Sequence, residues 1–166
     1  MSEPYRVSFV CTGNICRSPM GEVILRGMLA DAGLGEQVVV DSCGTGEWHV
    51  GQPAQPFAIE VLADAGYDGT PHRAQQLSPA FVTDRDLLLA LDKGHLRWLK
   101  KLSRKARGTT ELRMLREFDS AAVNARTLEV DDPYSGTGAD YERARDEIER
   151  SCRGLTTWLT EQLTPA

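Results

Sequence analysis

The sequence predicts an α/β fold: one domain, a four-stranded parallel sheet, and helices on both of its faces. Three observations predict it. Strand-like and helix-like patterns alternate along the chain, the signature of a parallel sheet with covering helices. Leu87–Leu91 is apolar at every position, as a strand buried on both faces must be. The 166 residues contain no internal repeat, low-complexity tract or linker, so residues 1–166 are expected to form a single domain with a sizeable core.

Arg6–Val10 reads as the first strand. A helix is predicted over Met20–Ala32, with Ile24, Met28 and Leu29 on one face and Gly33 ending it. Valine-rich Val38–Ser42 reads as the second strand, followed by a glycine-rich loop over 43–55. Phe57–Ala65 reads as a helix stopped by Gly66, and Pro79–Val82 as a short helix. Leu87–Leu91 is the third strand. Lys93–Leu102 has an amphipathic helical pattern and runs into a basic stretch of Lys100, Lys101, Arg104, Lys105 and Arg107, read as a solvated face in preference to a docking patch. Glu111–Met114 is the candidate fourth strand. Tyr141, Ala144, Ile148, Leu155, Trp158 and Leu159 recur at helical spacing and predict a last helix from about 140 to 163.

Composition excludes several function classes. Hydrophobic content of 41% and charged content of 26% are those of an ordinary globular protein. No long apolar run is present, so neither a membrane span nor a secretory signal is expected, and the expected location is the cytoplasm, with export by a signal-independent route left open. A net charge of −5 argues against nonspecific nucleic-acid binding. The four cysteines (Cys11, Cys16, Cys43, Cys152) show neither zinc-type pairing nor a disulfide framework, as expected of a reducing compartment. His49, His72 and His95 are far apart in sequence, and no metal site is expected. The chain is expected to be a monomer.

The chemistry is concentrated in residues 5–22. The first strand stops at Cys11, a tight loop of Thr12, Gly13, Asn14, Ile15 and Cys16 follows, and Arg17, Ser18 and Pro19 lead into a helix. A free thiol has a pKa near ~8.5 and is a weak nucleophile at neutral pH. Unpaired N–H groups of the loop and helix, with the Arg17 guanidinium, would supply the positive potential that stabilises a thiolate. Gly13 permits the loop backbone, and Asn14 tolerates a left-handed conformation. Arg17 can grip phosphate oxygens with its planar fork. Ser18 is expected to cap a helix that Pro19 opens, its hydroxyl turned back towards the Cys11 sulfur. Cys-x5-Arg alone is a weak signal, since a buried structural cysteine and a surface arginine would also give it. Here strand end, glycine turn, cap and proline fall in register.

CTGNICRSPMGE at 11–22 resembles the phosphate-binding loop of the low molecular weight protein-tyrosine phosphatases, of the bacterial, actinobacterial-like type. The resemblance continues through DSCGTGEWHVG at 41–51, GYDGTPHRAQQL at 66–77, LLLALD at 87–92 and VDDPY at 130–134. It implies a three-layer sandwich of the phosphotyrosine protein phosphatase I-like kind and phosphomonoester hydrolysis through a phosphocysteine. No cofactor is implied. The implied partner is a phosphotyrosine-containing protein, with inorganic phosphate as product and neither nucleic acid nor membrane involved. It assigns Cys11 as nucleophile, Arg17 as phosphate ligand and Asp132, stiffened by Pro133, as general acid and then base. Asp131 is read as a surface charge. Thr12, Gly13, Asn14, Ile15, Cys16 and Ser18 would form the loop, with Asn14 pinned by Ser18, Ser42 and His72. Ile15, Trp48, His49 and Tyr134 would wall a pocket for a phenyl ring.

Family members that hydrolyse phosphoarginine typically carry threonine at the Ile15 position and phenylalanine at the Tyr134 position, so these two residues point to phosphotyrosine. Arsenate reductases on the same scaffold need further cysteines past the third strand, and residues 80–100 contain none. Cys16 is a redox candidate, placed to protect an oxidised Cys11 by disulfide formation; a small buried residue filling the loop is the equal alternative. The chain departs from the family pattern at Cys43 (usually alanine), at Gln55-Pro56-Phe57 (where Asp-x-Arg is common), at Gly94 and at Ser135. These bear on substrate preference and leave Cys11, Arg17 and Asp132 untouched. A phosphotyrosine-binding module without turnover, and a thiol reductase using Cys11 and Cys16, are the rivals from other classes.

Overall fold

Strand β1 (Tyr5–Cys11) lies at the centre of the sheet in the computed structural model, which describes residues 2–165. Strand β2 (Val38–Gly44) pairs on one side of it and β3 (Leu87–Ala90) on the other, with β4 (Glu111–Met114) at the edge beyond β3. All three pairings are parallel and give the order β2-β1-β3-β4. Side chains alternate across the sheet as the period of a strand requires. Val7, Phe9, Leu87 and Leu89 face one core, and Val10, Leu88 and Ala90 the other; β3 is apolar throughout, and β1 carries the fully buried Ser8.

The first core is covered by α1 (Arg17–Asp31), α2 (Pro56–Asp64) and the long α6 (Gly138–Leu163). Tyr141, Ala144, Ile148, Leu155 and Leu159 of α6 are buried at the predicted spacing. The second core lies under α3 (Phe81–Asp84) and α4 (Lys93–Ala106), with Phe81, Val82 and Leu99 at its centre. These layers make the fold a three-layer α/β sandwich.

Several boundaries differ from the sequence reading. Helix α1 starts at Arg17, three residues earlier than expected, and Cys16 occupies the cap position without a side-chain cap bond. Ser18 is therefore inside the helix and does not cap it. Pro19 is tolerated at the third helical position because the first four N–H groups of a helix have no internal acceptor to lose. Helix α3 sits two residues later than expected, at Phe81–Asp84. Helix α4 continues four residues past Leu102, through the basic stretch, and ends where Arg107 turns left-handed at φ 53°. A 3-10 turn at Leu115–Phe118 and a short α5 (Ser120–Ala125), capped by Asp119, follow β4. Neither was expected, since four to six residues are too few to carry a helical period.

Candidate active site

In a parallel sheet the carboxyl ends of the strands and the loops beyond them form the natural crevice. Cys11 is the last residue of β1 and is paired with Gly44, the last of β2. Chain direction then reverses through residues 12–16 into α1. A Cβ at position 44 would lie 2.6 Å from the Thr12 carbonyl oxygen and 3.1 Å from the Asn14 nitrogen. Only glycine lets the loop pass this close.

The loop is clamped through Asn14, which is fully buried and left-handed at φ 58°. Its Nδ2 donates to Ser18 Oγ and to Ser42 Oγ, both at 2.8 Å, and its Oδ1 accepts from the Gln75 N–H at 2.9 Å. Its carbonyl accepts from His72 Nε2 at 2.7 Å, which fixes the proton of this imidazole on Nε2. Ser42 in turn donates to Glu22 at 2.7 Å. The hydroxyl of Ser18 lies 2.8 Å from Cys11 Sγ. Since that oxygen already accepts from Asn14, its own proton is free to point at the sulfur. Ser42 and His72 thus hold Asn14 and do not line the cleft.

The backbone N–H groups of Gly13, Asn14, Ile15, Cys16, Arg17 and Ser18 have no acceptor among the described residues. Consecutive N–H groups left unused around one centre, at the N-terminus of a helix, form an anion site. Arg17 closes it. Its side chain is buried, with Nη1 donating to the Val130 carbonyl at 2.8 Å and to Asp92 Oδ2 at 3.0 Å. Nη2 lies 3.6 Å from Asp132 Oδ2. With Nη1 committed, the Nε and Nη2 edge is the fork that remains for two oxygens of an anion.

Asp132 sits on the rim, its carboxylate about half exposed and accepting the Tyr134 N–H at 3.1 Å. The loop that carries it is anchored by Val130, whose N–H donates to Leu91 at 2.8 Å and whose carbonyl holds Arg17. Asp131 points away to Arg143 at 3.1 Å. The cleft above Cys11 has a volume of about 170 Å³. Thr12, Gly13, Ile15 and Cys16 form its base, and Trp48, His49 and Tyr134 its walls. Trp48 is 71% exposed and the His49 and Tyr134 rings are 6.1 Å apart, so the walls are an open aromatic rim.

Cys16 is buried, and burial pushes its thiol up to about 12. It lies 3.3 Å from the Tyr141 hydroxyl, and the Tyr141 ring packs on Phe57 at 5.4 Å. Phe57 thus places an aromatic contact where the resemblance implies a polar brace. Cys43 is fully buried, with its thiol raised by burial. Among the described residues no cluster of metal-ligating side chains occurs.

Two residues that hold Arg17 and Thr12 were absent from the candidates drawn from the sequence. Asp92 follows β3 as Cys11 ends β1, and an acid placed directly after an apolar parallel strand is a readable signal for this crevice. It caps α4 by accepting the His95 N–H at 2.9 Å, and it holds Arg17. Burial alone would raise its carboxyl, yet the His95 N–H and the Arg17 guanidinium hold it below the ordinary value. His95 is the second. Its Nε2 lies 2.9 Å from Thr12 Oγ1, and its Nδ1 faces Asp92 Oδ1 at 3.3 Å. A carboxylate has no proton to give, so the imidazole proton belongs on Nδ1 and Nε2 accepts from Thr12.

Burial, with Arg17 adding to it, pushes the His95 imidazole down to about 4. The unfolded chain takes up this proton near pH ~6.5 and the folded chain only near pH 4, so the stabilisation is complete above the higher value and is lost as pH falls through that window. Urea unfolding from pH 7 to pH 4 is expected to show a shallower loss of stability in His95→Asn than in the wild type, by roughly 3 kcal/mol. Equal losses in the two proteins would remove His95 from this role.

Residues 6–164 match the family profile described as low molecular weight phosphotyrosine protein phosphatase. The chain belongs to this family. A low molecular weight protein-tyrosine-phosphatase of Streptomyces coelicolor is 45% identical over 159 residues, covering 96% of each chain, in keeping with the actinobacterial-like type. Among solved structures, YfkJ of Bacillus subtilis superposes with a TM-score of 0.89 at 29% identity, over 98% of this chain and 99% of that one. A cysteine-to-serine mutant of the YwlE arginine phosphatase, its active-site serine phosphorylated, gives a TM-score of 0.81 at 28% identity, over 95% of this chain and 97% of that one. Members of the low molecular weight phosphatase family are phosphoric monoester hydrolases, and the fold of this chain is theirs.

Proposed function

We propose that this chain hydrolyses phosphotyrosine in proteins through a covalent phosphocysteine at Cys11. The observation that supports it most is the placement of the Cys11 sulfur beneath unspent N–H donors closed by the Arg17 fork. In the first step Sγ attacks phosphorus and the bond from phosphorus to the phenolic oxygen breaks. The loop amides and the Nε and Nη2 edge of Arg17 hold the three equatorial oxygens, where charge stabilisation and positioning do most of the catalytic work in phosphoryl transfer. Asp132 gives its proton to the departing phenolate. In the second step the Asp132 carboxylate takes a proton from water as that water attacks phosphorus, the bond to sulfur breaks, and the Ser18 hydroxyl donates to the leaving Sγ. Inorganic phosphate is released and the starting state is restored without a cofactor.

Ile15, Trp48 and Tyr134 suit a planar phenyl ring. Rates measured side by side on peptides carrying phosphotyrosine, phosphoserine and phosphoarginine test this choice. Phosphotyrosine is expected to be favoured by roughly 10²-fold in kcat/KM. A faster reaction with phosphoarginine would transfer the site to that substrate. For the acid, Asp132→Ala is expected to slow phosphotyrosine hydrolysis by roughly 10²- to 10⁴-fold. The phosphoenzyme should then build up and be recoverable by acid quench. Wild-type kinetics in this variant would exclude Asp132 from the proton transfers.

A further inference from the structure

The charge of this chain is divided unevenly. Seven of its 19 lysines and arginines lie within residues 93–107, a stretch without a single aspartate or glutamate, which leaves 12 cations against 24 acids in the rest. All four lysines of the chain are here, on α4. Lys93, Arg97, Lys100, Lys101, Arg104, Lys105 and Arg107 are all exposed. None of the seven charged side-chain groups has a carboxylate within 4.0 Å among the described residues, whereas those of ten of the other 12 cations do. Trp98, 55% exposed, lies on the same helix. A shallow recess of about 360 Å³ opens between Lys100, Arg104 and Arg107 at its far end.

The same helix begins inside the candidate active site. Asp92, its cap, holds Arg17, and His95 in its first turn touches Thr12 of the loop. At 1.5 Å per residue, Lys105 is about 15 Å along the axis from His95, a distance an extended peptide covers in about five residues. We infer that α4 is the docking surface for the substrate, and that the phosphotyrosine proteins this chain acts on carry acidic residues within several positions of the phosphorylated tyrosine. This inference rests on the phosphatase reading above. The remainder of the molecule is strongly negative and repels an acidic dianionic substrate. The unpaired cations of α4 reverse that field locally, along a helix that starts at the candidate active site, and opposite charge on such a path raises encounter rates by 10- to 10³-fold.

The test compares p-nitrophenyl phosphate with two phosphotyrosine peptides of equal length. One has glutamates on both sides of the phosphotyrosine and the other has glutamines. The wild type is expected to favour the acidic peptide by about tenfold in kcat/KM at low salt and to lose most of that preference at about 0.5 M salt. The combined variant Lys100→Gln, Lys101→Gln, Arg104→Gln, Lys105→Gln keeps good helix formers on an exposed face. It should lose the preference while its rates on p-nitrophenyl phosphate and the neutral peptide stay at the wild-type level, which also reports that it folds. Equal wild-type rates on both peptides, or a preference that survives in the variant, overturn the docking surface while leaving the phosphatase reading intact. Equal peptide rates together with sedimentation of the wild type on phosphatidylserine vesicles would assign α4 to a membrane surface and likewise overturn it. No turnover of p-nitrophenyl phosphate by the wild type would overturn both readings.

Discussion

Cys11→Ser is expected to lose turnover by at least about 10⁴-fold, on the order of what removing an essential nucleophile costs elsewhere, while still binding inorganic phosphate. The reason lies in which parts the substitution leaves standing. A serine hydroxyl fits where the thiol was, so Asn14 remains clamped by Ser18, Ser42 and His72, and the loop amides keep their directions. The anion site does not depend on the sulfur. Attack on phosphorus does, because an alcohol without an adjacent base is not ionised near neutral pH and the Ser18 hydroxyl is a donor to position 11, not a base for it. Phosphate binding measured by calorimetry, alongside single-turnover kinetics, separates the two. Turnover at the wild-type level would end the phosphocysteine mechanism, and loss of phosphate binding would show that the sulfur helps to build the loop.

Arg17→Lys keeps the charge and removes the fork. Arg17 at once reaches the Val130 carbonyl, Asp92 and the rim near Asp132, and a lysine ammonium cannot span these and still present two parallel donors to a phosphate. A fall of roughly 10³-fold in kcat/KM is expected, at the lower end of what a phosphate-directed arginine contributes in other phosphoryl transfers. Stability should fall as well, by about 1–3 kcal/mol, because the buried Val130 carbonyl and the Asp92 carboxylate are left short of a donor. Urea unfolding and steady-state kinetics on one preparation read both effects. If the lysine variant kept full activity, bidentate binding by Arg17 would be excluded.

The two substitutions mark the boundary of what the sequence reveals about the site. Cys11, the loop, Arg17 and Ser18 are contiguous, and their spacing against the end of an apolar strand makes them readable together. Asp132 is readable through its proline and through the family resemblance. The layer behind them is not, because it is assembled across the sheet. Asp92 follows β3, a position that marks it for the crevice but not for Arg17, and Gln75 comes from the loop before that strand with no local pattern tying it to residue 14. Gly44 is one glycine among several in its loop until the strand register brings its Cα against the Thr12 carbonyl. His95 has the spacing of an ordinary core residue in an amphipathic helix, and only the packing of α4 beside β3 turns its second nitrogen towards Thr12. The strands were legible because burial on both faces leaves β3 wholly apolar and β1 with Ser8 as its one fully buried polar residue. The start of α1 was not, because Ser18 and Pro19 form a strong cap signal that the needs of Asn14 and Cys11 override.

The central position of β1 also governs how the protein can fail. Cys11 closes β1, which like β3 is hydrogen-bonded along both edges, so the strand that carries it belongs to the region expected to exchange its amide protons last. The nucleophile therefore cannot fray away on its own. Its geometry persists until the whole chain opens, so that heat inactivation and cooperative unfolding are a single event here.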